Sequence, residues 1–276
     1  MIAHRKIIPV MFDTISDILD LHRFPLHQPG SIAYVDLLDR CRTDLERDGM
    51  CNLEGLVLPE IAHQAAEAIK PVMATEAFVH SRRHNIYFED AVEGLPADHP
   101  ALRECETSNL TLCADQLTDS PIMLLYEWSM LHCFLAAVTG KAELFAMQDP
   151  LARVNVMSYP EGHTLNWHFD RSEFTTTLLL QAPDEGGAFE YRTGLRTADD
   201  PNHDGVAKLL LGEDPDVRKM SLSAGTLNVF RGINTPHRVT PVVGQTDRMV
   251  AVFSFYDRPG VSFTPEEQIG FYGRQA

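Results

Sequence analysis

The sequence is short of positive charge. Its 276 residues carry 23 lysines and arginines against 39 aspartates and glutamates, a formal net charge of −16. Nucleic-acid binding needs clustered Lys and Arg, so this balance argues against it, and equally against an anionic membrane surface as partner. An anionic small molecule stays admissible where a local arginine overrides the general field. Cysteine is scarce as well. Cys41, Cys51, Cys105, Cys113 and Cys133 form an odd set, all in the first half and none in a CxxC pair. That is neither a disulfide framework nor a zinc ribbon, and free thiols in a reducing, cytoplasmic setting are expected. No apolar run approaches the roughly 18 residues needed to cross a bilayer. The N-terminus, MIAHRKIIPVMFDTISDILD, has only a short apolar run before its acids and does not resemble a signal peptide. Internal repeats and low-complexity tracts are absent.

What remains is ordinary globular composition, 44% hydrophobic and 22% charged, enough to bury a core. The first half reads mainly as helix. Residues 32–48 place apolar side chains at helical spacing, and Gly49 stops them. Residues 50–57 read as a strand, Pro59 opens a second helix, and 85–88 (NIYF) read as another strand. Residues 121–139 are the strongest apolar helix; Glu127 and His132 inside it favour a buried helix over a membrane span. From 153 onward short β-branched segments alternate with turns, which predicts antiparallel β. About eight such strands fit a double-sheet jelly roll or cupin-like barrel. A polar stretch, 193–220, reads as an insertion with one short helix. The expected class is α+β, one domain over 1–276. Residues 1–150 are mainly helical support, 151–258 a double-stranded β-helix core, and 259–276 a C-terminal segment.

The chemistry concentrates in that second half. In WHFD, His168 and Asp170 stand two apart, and residues i and i+2 of a strand share a face. A third donor stands 69 residues on, at His237 in NTPHRV. Two histidines and one carboxylate match the facial triad of Fe(II) oxygenases, which leaves coordination positions open. An isolated HxD pair is a weak signal, and the same donors suit zinc or manganese. Eleven residues past His237, Arg248 opens the apolar strand RMVAVFSF. A charged group there needs a partner. A bidentate carboxylate suits its planar fork, while a salt bridge to Asp247 or solvation at a strand end are the alternatives.

These features together resemble the Fe(II)/2-oxoglutarate-dependent oxygenase superfamily. The resemblance rests on Tyr159, Pro160 and Gly162 before HxD, on the Gly186–Gly187 turn, on Gly225 before the strand preceding His237, and on Arg248 beyond it. It covers roughly residues 150–258. It implies Fe(II) held by His168, Asp170 and His237, with O2 and 2-oxoglutarate as co-substrates. Arg248 would anchor the latter, helped by Ser254 or Thr177. More narrowly, NWHFDRSEFTTTLLLQ and SFYDRPGVSFTPEEQIGFYGR are similar to the bacterial halogenases and hydroxylases of free amino acids. The halogenases of that group have Gly where this chain has Asp170, leaving a place for chloride. The resemblance therefore implies hydroxylation of a free amino acid or similar small metabolite; desaturation, cyclisation, halogenation and a non-catalytic metal-bound cupin are the alternatives.

Candidate substrate residues are Arg83, in the cluster Arg82–Asn85, with Asn166, Arg171 and Arg231. Each has a plainer reading: a solvated strand entry for Arg83, a surface salt bridge for Arg171. Trp167 alternates with His168 and is expected in the opposite layer. The oligomeric state leaves no mark in the sequence.

Overall fold

Helix α1 (Ile32–Asp48) begins where the Ser31 hydroxyl accepts the Tyr34 amide, and it ends where Gly49 turns left-handed. This computed structural model describes residues 14–276; the first thirteen residues, including most of the segment read against a signal peptide, lie outside them. β1 (Met50–Leu53) follows, shorter than its predicted span, and α2 (Pro59–Glu76) starts on its proline as expected. The predicted strand at 85–88 is not one. β2 runs earlier, Phe78–His84, and the chain then turns. The turn is closed by Asn85, whose side-chain oxygen accepts the Tyr87 and Glu89 amides while its amide donates to the Glu89 carbonyl.

β3 (Cys105–Cys113) was not foreseen. The long apolar helix at 121–139 is in fact two, α3 (Pro121–Glu127) and α4 (Ser129–Thr139), bent by 59° at Trp128. The ring of His132 meets the Tyr126 carbonyl at this break, 2.6 Å away. Most of the pair's apolar side chains are buried in the core, and among the described residues no single helix is long and apolar enough to cross a membrane.

The second half supplies β4 (Phe145–Ala146), β5 (Val154–Tyr159), β6 (Leu165–His168), β7 (Thr175–Gln181), β8 (Glu185–Gly186) and β9 (Phe189–Tyr191). The insertion folds as α5 (His203–Leu211) and ends in β10 (Arg218–Met220). Then come β11 (Leu227–Phe230), β12 (His237–Val239), β13 (Val242–Val243), β14 (Arg248–Phe253), β15 (Phe255–Tyr256) and α6 (Pro265–Tyr272). The large sheet has seven strands in the order β1-β11-β7-β14-β5-β3-β2, and a second has the order β10-β9-β12-β6. Two short pairs, β13-β8 and β15-β4, complete the strand pairing among the described residues, all of it antiparallel. The N-terminal half is thus more than helical support, since β1, β2 and β3 are strands of the large sheet.

Strand parity divides that sheet. Leu53, Leu227, Leu178, Ala251, Val156 and Leu112 lie side by side in register, and all join the core against the helices. Burying each of these leucines or valines is worth roughly 1.5–3 kcal/mol. The opposite face is far more polar: Asn52, Asn228, Thr177, Asn155, Thr107 and Asn109 stand on it. The four-stranded sheet meets this polar face, with the Asn166 amide donating to the Thr107 hydroxyl and the Phe230 ring against His237. Trp167 packs with Phe169, Ile86 and Val206 of α5, in the layer away from His168.

Candidate metal centre

His168 closes β6 and is paired in register with His237, the first residue of β12. Antiparallel pairing brings the two rings to 4.1 Å between centroids. Asp170 lies just beyond the strand rather than in it, yet reaches back between them. Its Oδ1 is 3.4 Å from His168 Nε2 and 3.6 Å from His237 Nε2. One ligand atom from each residue falls within 4.8 Å of the others, so the three predicted donors converge.

The surroundings fix how those atoms point. His168 Nδ1 faces the Asn166 carbonyl at 2.9 Å and His237 Nδ1 the Thr235 carbonyl at 3.0 Å. A ring nitrogen facing a carbonyl carries its proton, which leaves each Nε2 lone pair toward Asp170, as metal-binding imidazoles require. Thr175 donates its hydroxyl to Asp170 Oδ2 at 2.5 Å, and the Asp170 amide donates to the Gly232 carbonyl. A methyl group on Gly232 would sit 2.1 Å from Asp170 Oδ2, so the carboxylate's position depends on glycine there. Burial by itself would raise the Asp170 carboxyl, but the fields of His237 and His168 and the Thr175 hydroxyl hold it well below the usual carboxylate range. Burial, with His168 adding, pushes His237 down to about 4. Phe230 and Phe189 flank His237, with centroids at 4.8 and 5.3 Å.

Arg248 is 7% exposed and lies opposite Tyr159 of β5. Its guanidinium stands over the Tyr159 ring at 5.7 Å, and its Nη1 is buried without a hydrogen-bond partner. Burial pulls its pKa below the ordinary value. Asp247, the salt-bridge alternative, is taken by the Ser158 hydroxyl instead. Arg248 lines a cavity of about 260 Å³ together with Leu179, Gly187, Phe189, Ser221 and Leu222. A Cβ on Gly187 would meet Arg248 Cδ at 3.2 Å and the Pro183 ring at 2.7 Å, which gives the Gly-Gly turn a local reason.

The expected helpers separate. Thr177 shares the polar face with Arg248, opposite Val252 and one alternation along β7 from Thr175. Ser254 lies six residues beyond Arg248, about 20 Å at strand rise, and its hydroxyl donates to the Ala152 carbonyl, so it is not brought to Arg248. Among the substrate candidates, Asn166 is buried and committed to backbone. Its amide donates to the His84 carbonyl and its side-chain oxygen accepts the Trp167 N–H, so it orients the His168 strand. Arg83 points to the helix side of β2 and meets Glu104, away from the triad. Arg82, one residue earlier, faces the triad side with His80 and His84, because it pairs with Thr107. Arg171 makes the anticipated surface contact, 3.3 Å from Glu267. Arg231 is exposed, with its guanidinium over Phe174. Thr175, Gly232 and Phe88, whose ring meets His168 edge-on at 5.8 Å, escaped the sequence reading. Only Thr175 had a usable signal, a hydroxyl on the site-facing parity of β7.

A halogenase D family model matches residues 35–262, most of the chain, and the protein belongs to that family. Among solved structures, AviO1 from Streptomyces viridochromogenes Tue57 is similar with a TM-score of 0.53 at 16% identity, covering 82% of this chain and 97% of that one. A Pseudomonas putida prolyl-4-hydroxylase gives 0.50 at 16% identity, over 79% of this chain and 98% of that one. The epimerase SnoN in complex with Fe3+, alpha ketoglutarate and nogalamycin RO gives 0.51 at 14% identity, over 79% and 84%. At such identities the likeness is one of fold. No curated protein matches the sequence.

Proposed function

We propose that the chain is a single-domain Fe(II)/2-oxoglutarate-dependent dioxygenase that hydroxylates an unactivated C–H bond of a free amino acid or similar small polar metabolite. The observation that carries this reading is Arg248. A buried guanidinium with an unpartnered nitrogen, lining a cavity on the triad's side of the sheet, fits one end of a small dicarboxylate. The donor set fits Fe(II): two imidazole Nε2 atoms and one ionised carboxylate converge, leaving further coordination positions for co-substrate and oxygen. The two stacked antiparallel sheets support a double-stranded β-helix, and the oxygenases of similar fold, one of them solved with Fe3+ and alpha ketoglutarate, support the same cofactors.

Bound Fe(II) with 2-oxoglutarate and O2 supplies the oxidising power that breaks the C–H bond, while 2-oxoglutarate is converted to succinate and CO2. The chain's own residues do the rest. His168 and His237 present neutral imidazoles, oriented by the Asn166 and Thr235 carbonyls. Thr175 and Gly232 hold Asp170 in place. Arg248 pairs with the distal carboxylate of 2-oxoglutarate, and Thr177 stands on the face between it and the metal. Phe230 and Phe189 keep water from the His237 side.

The family name favours halogenation as a second reading. Asp170 speaks against it, because its carboxylate fills the place that the resembling halogenases leave open with glycine. The test is a succinate assay over a panel of amino acids with Fe(II) and 2-oxoglutarate. Succinate release should depend on both and vanish in His168→Ala; undiminished release in that variant would overturn the assignment.

A further inference from the structure

We propose that Arg196, in the polar insertion after β9, is a positioning residue of the metal centre: it clamps the Gly232–Ile233 turn against Phe169 and so sets where the Asp170 carboxylate stands. The role rests on the metal-centre part of the oxygenase reading.

Asp170 has no ladder partner, because β6 stops at His168. Its place depends on the turn between β11 and β12. The Asp170 amide donates to the Gly232 carbonyl, and Gly232 closely approaches the carboxylate itself. The same turn carries Thr235, whose carbonyl faces His237 Nδ1. A shift of this turn therefore disturbs the support of two metal ligands at once. Yet residues 232–236 lie outside every helix and strand.

Arg196 reaches both sides of the junction. Its Nε and Nη2 donate to the Ile233 carbonyl, at 3.1 and 2.7 Å. Its guanidinium lies over the Phe169 ring, 3.5 Å from the centroid. Phe169 immediately precedes Asp170, and Ile233 immediately follows Gly232. One cation thus ties together the two segments that meet at the Asp170 amide. Arginine suits this task, since its planar fork brings two N–H groups to the carbonyl while its face covers a ring.

Arg196 is itself held by the insertion. Leu195 is 3% exposed and packs in the cluster with Trp167, Phe169 and Val206. The Leu195 carbonyl accepts the side-chain amide of Asn202, the residue that caps α5, at 2.7 Å. Arg192, at the start of the insertion, does something different. It pairs with Asp214 and Asp216 and closes the insertion on itself. Among the described residues Arg196 has no such ion pair; its fork is spent on the turn beside the ligands.

The test is titration of the metal-free full chain with Co(II), read by heat and by visible absorption, whose d–d band reports the ligand geometry around the ion. Arg196→Gln should weaken Co(II) binding by about 10–100-fold, the usual effect of disturbing a ligand's support, and should alter the band. Arg196→Lys offers the carbonyl a point charge without the flat stack, so it should fall between the parent and Arg196→Gln. Arg192→Gln loosens the insertion without touching the turn, so it should keep the parental affinity and band even if it melts lower. Thermal melts of the metal-free variants establish that they are folded; should Arg196→Gln not fold, the Arg196→Lys value decides. Parental affinity and band in the deciding Arg196 variant, or an equal loss in Arg192→Gln, would overturn the positioning role. Failure of the parent chain to bind Co(II) at all would remove the metal-centre reading beneath it.

Discussion

Asp170 is the residue on which the chemistry turns, and its neighbours are specific. Gly232→Ala should displace it and weaken Fe(II) binding by about 10–100-fold, the usual effect of disturbing a ligand's support, while leaving the fold intact; a metal titration beside a thermal melt checks this. Arg248→Ala should raise the 2-oxoglutarate KM by more than about tenfold with a smaller effect on kcat, because the lost bonds act on binding. Two histidines give a pH dependence. His84 and His237 are each pushed down to about 4 by burial. Their folded values lie below the unfolded value near 6.5, so between the two the unfolded chain binds more protons. The stability they contribute is complete above that unfolded value and is lost as the pH falls toward the folded one. The metal-free protein should therefore melt at progressively lower temperature from about pH 7 to about pH 4.5, and a flat profile over that window would contradict it. At this scale the donors were legible, because HxD and the distal histidine are local or ordered signals. Arg83 faces away from the triad, beside Glu104: telling which of two neighbours faces the centre requires strand parity, and parity requires knowing where β2 begins.

Elements were legible where one periodicity ruled. α1 and α2 follow their apolar spacing and caps. β2 and β3 were hidden because the face they turn inward carries His80, Arg82, Thr107 and Asn109. Only Thr107 and Asn109 of these are buried, and a polar face of this kind does not show the apolar alternation of a core strand. The loop after β2 misled for a related reason: NIYF is apolar, but Asn85 binds three groups of its own turn and bends it. Asn85→Ala should release residues 85–89, lower stability by about 1–2 kcal/mol, and raise amide exchange in that segment. Unchanged protection there would remove the clamp from the account. The break between α3 and α4 was invisible in composition, since both halves are apolar and only the His132 contact with the Tyr126 carbonyl marks the bend.

Across the whole molecule, the C-terminal segment is fastened to the sheet through Asp149. This fully buried carboxylate accepts the amides of Leu151, Ala152 and Phe263, the Ser262 hydroxyl and the Gln268 amide. Tyr272 adds a hydrogen bond to Asn155 at 2.8 Å. Asp149→Ala should destabilise the protein by about 2–4 kcal/mol by orphaning these donors, and denaturant unfolding reads it; a loss under about 0.5 kcal/mol would mean the fastening is superficial. Nothing in the sequence marked Asp149, because its partners come from both sides of β5 and β14. The layered plan, helices on one face and the metal centre on the other, does follow from the strand texture after residue 153.

The most direct test is the mass of the product. Fe(II)-loaded enzyme, given 2-oxoglutarate, O2 and an accepted substrate in chloride-containing buffer, should yield one succinate per product and a product heavier by one oxygen atom. A chlorinated product, or turnover surviving in Asp170→Ala, would contradict the account.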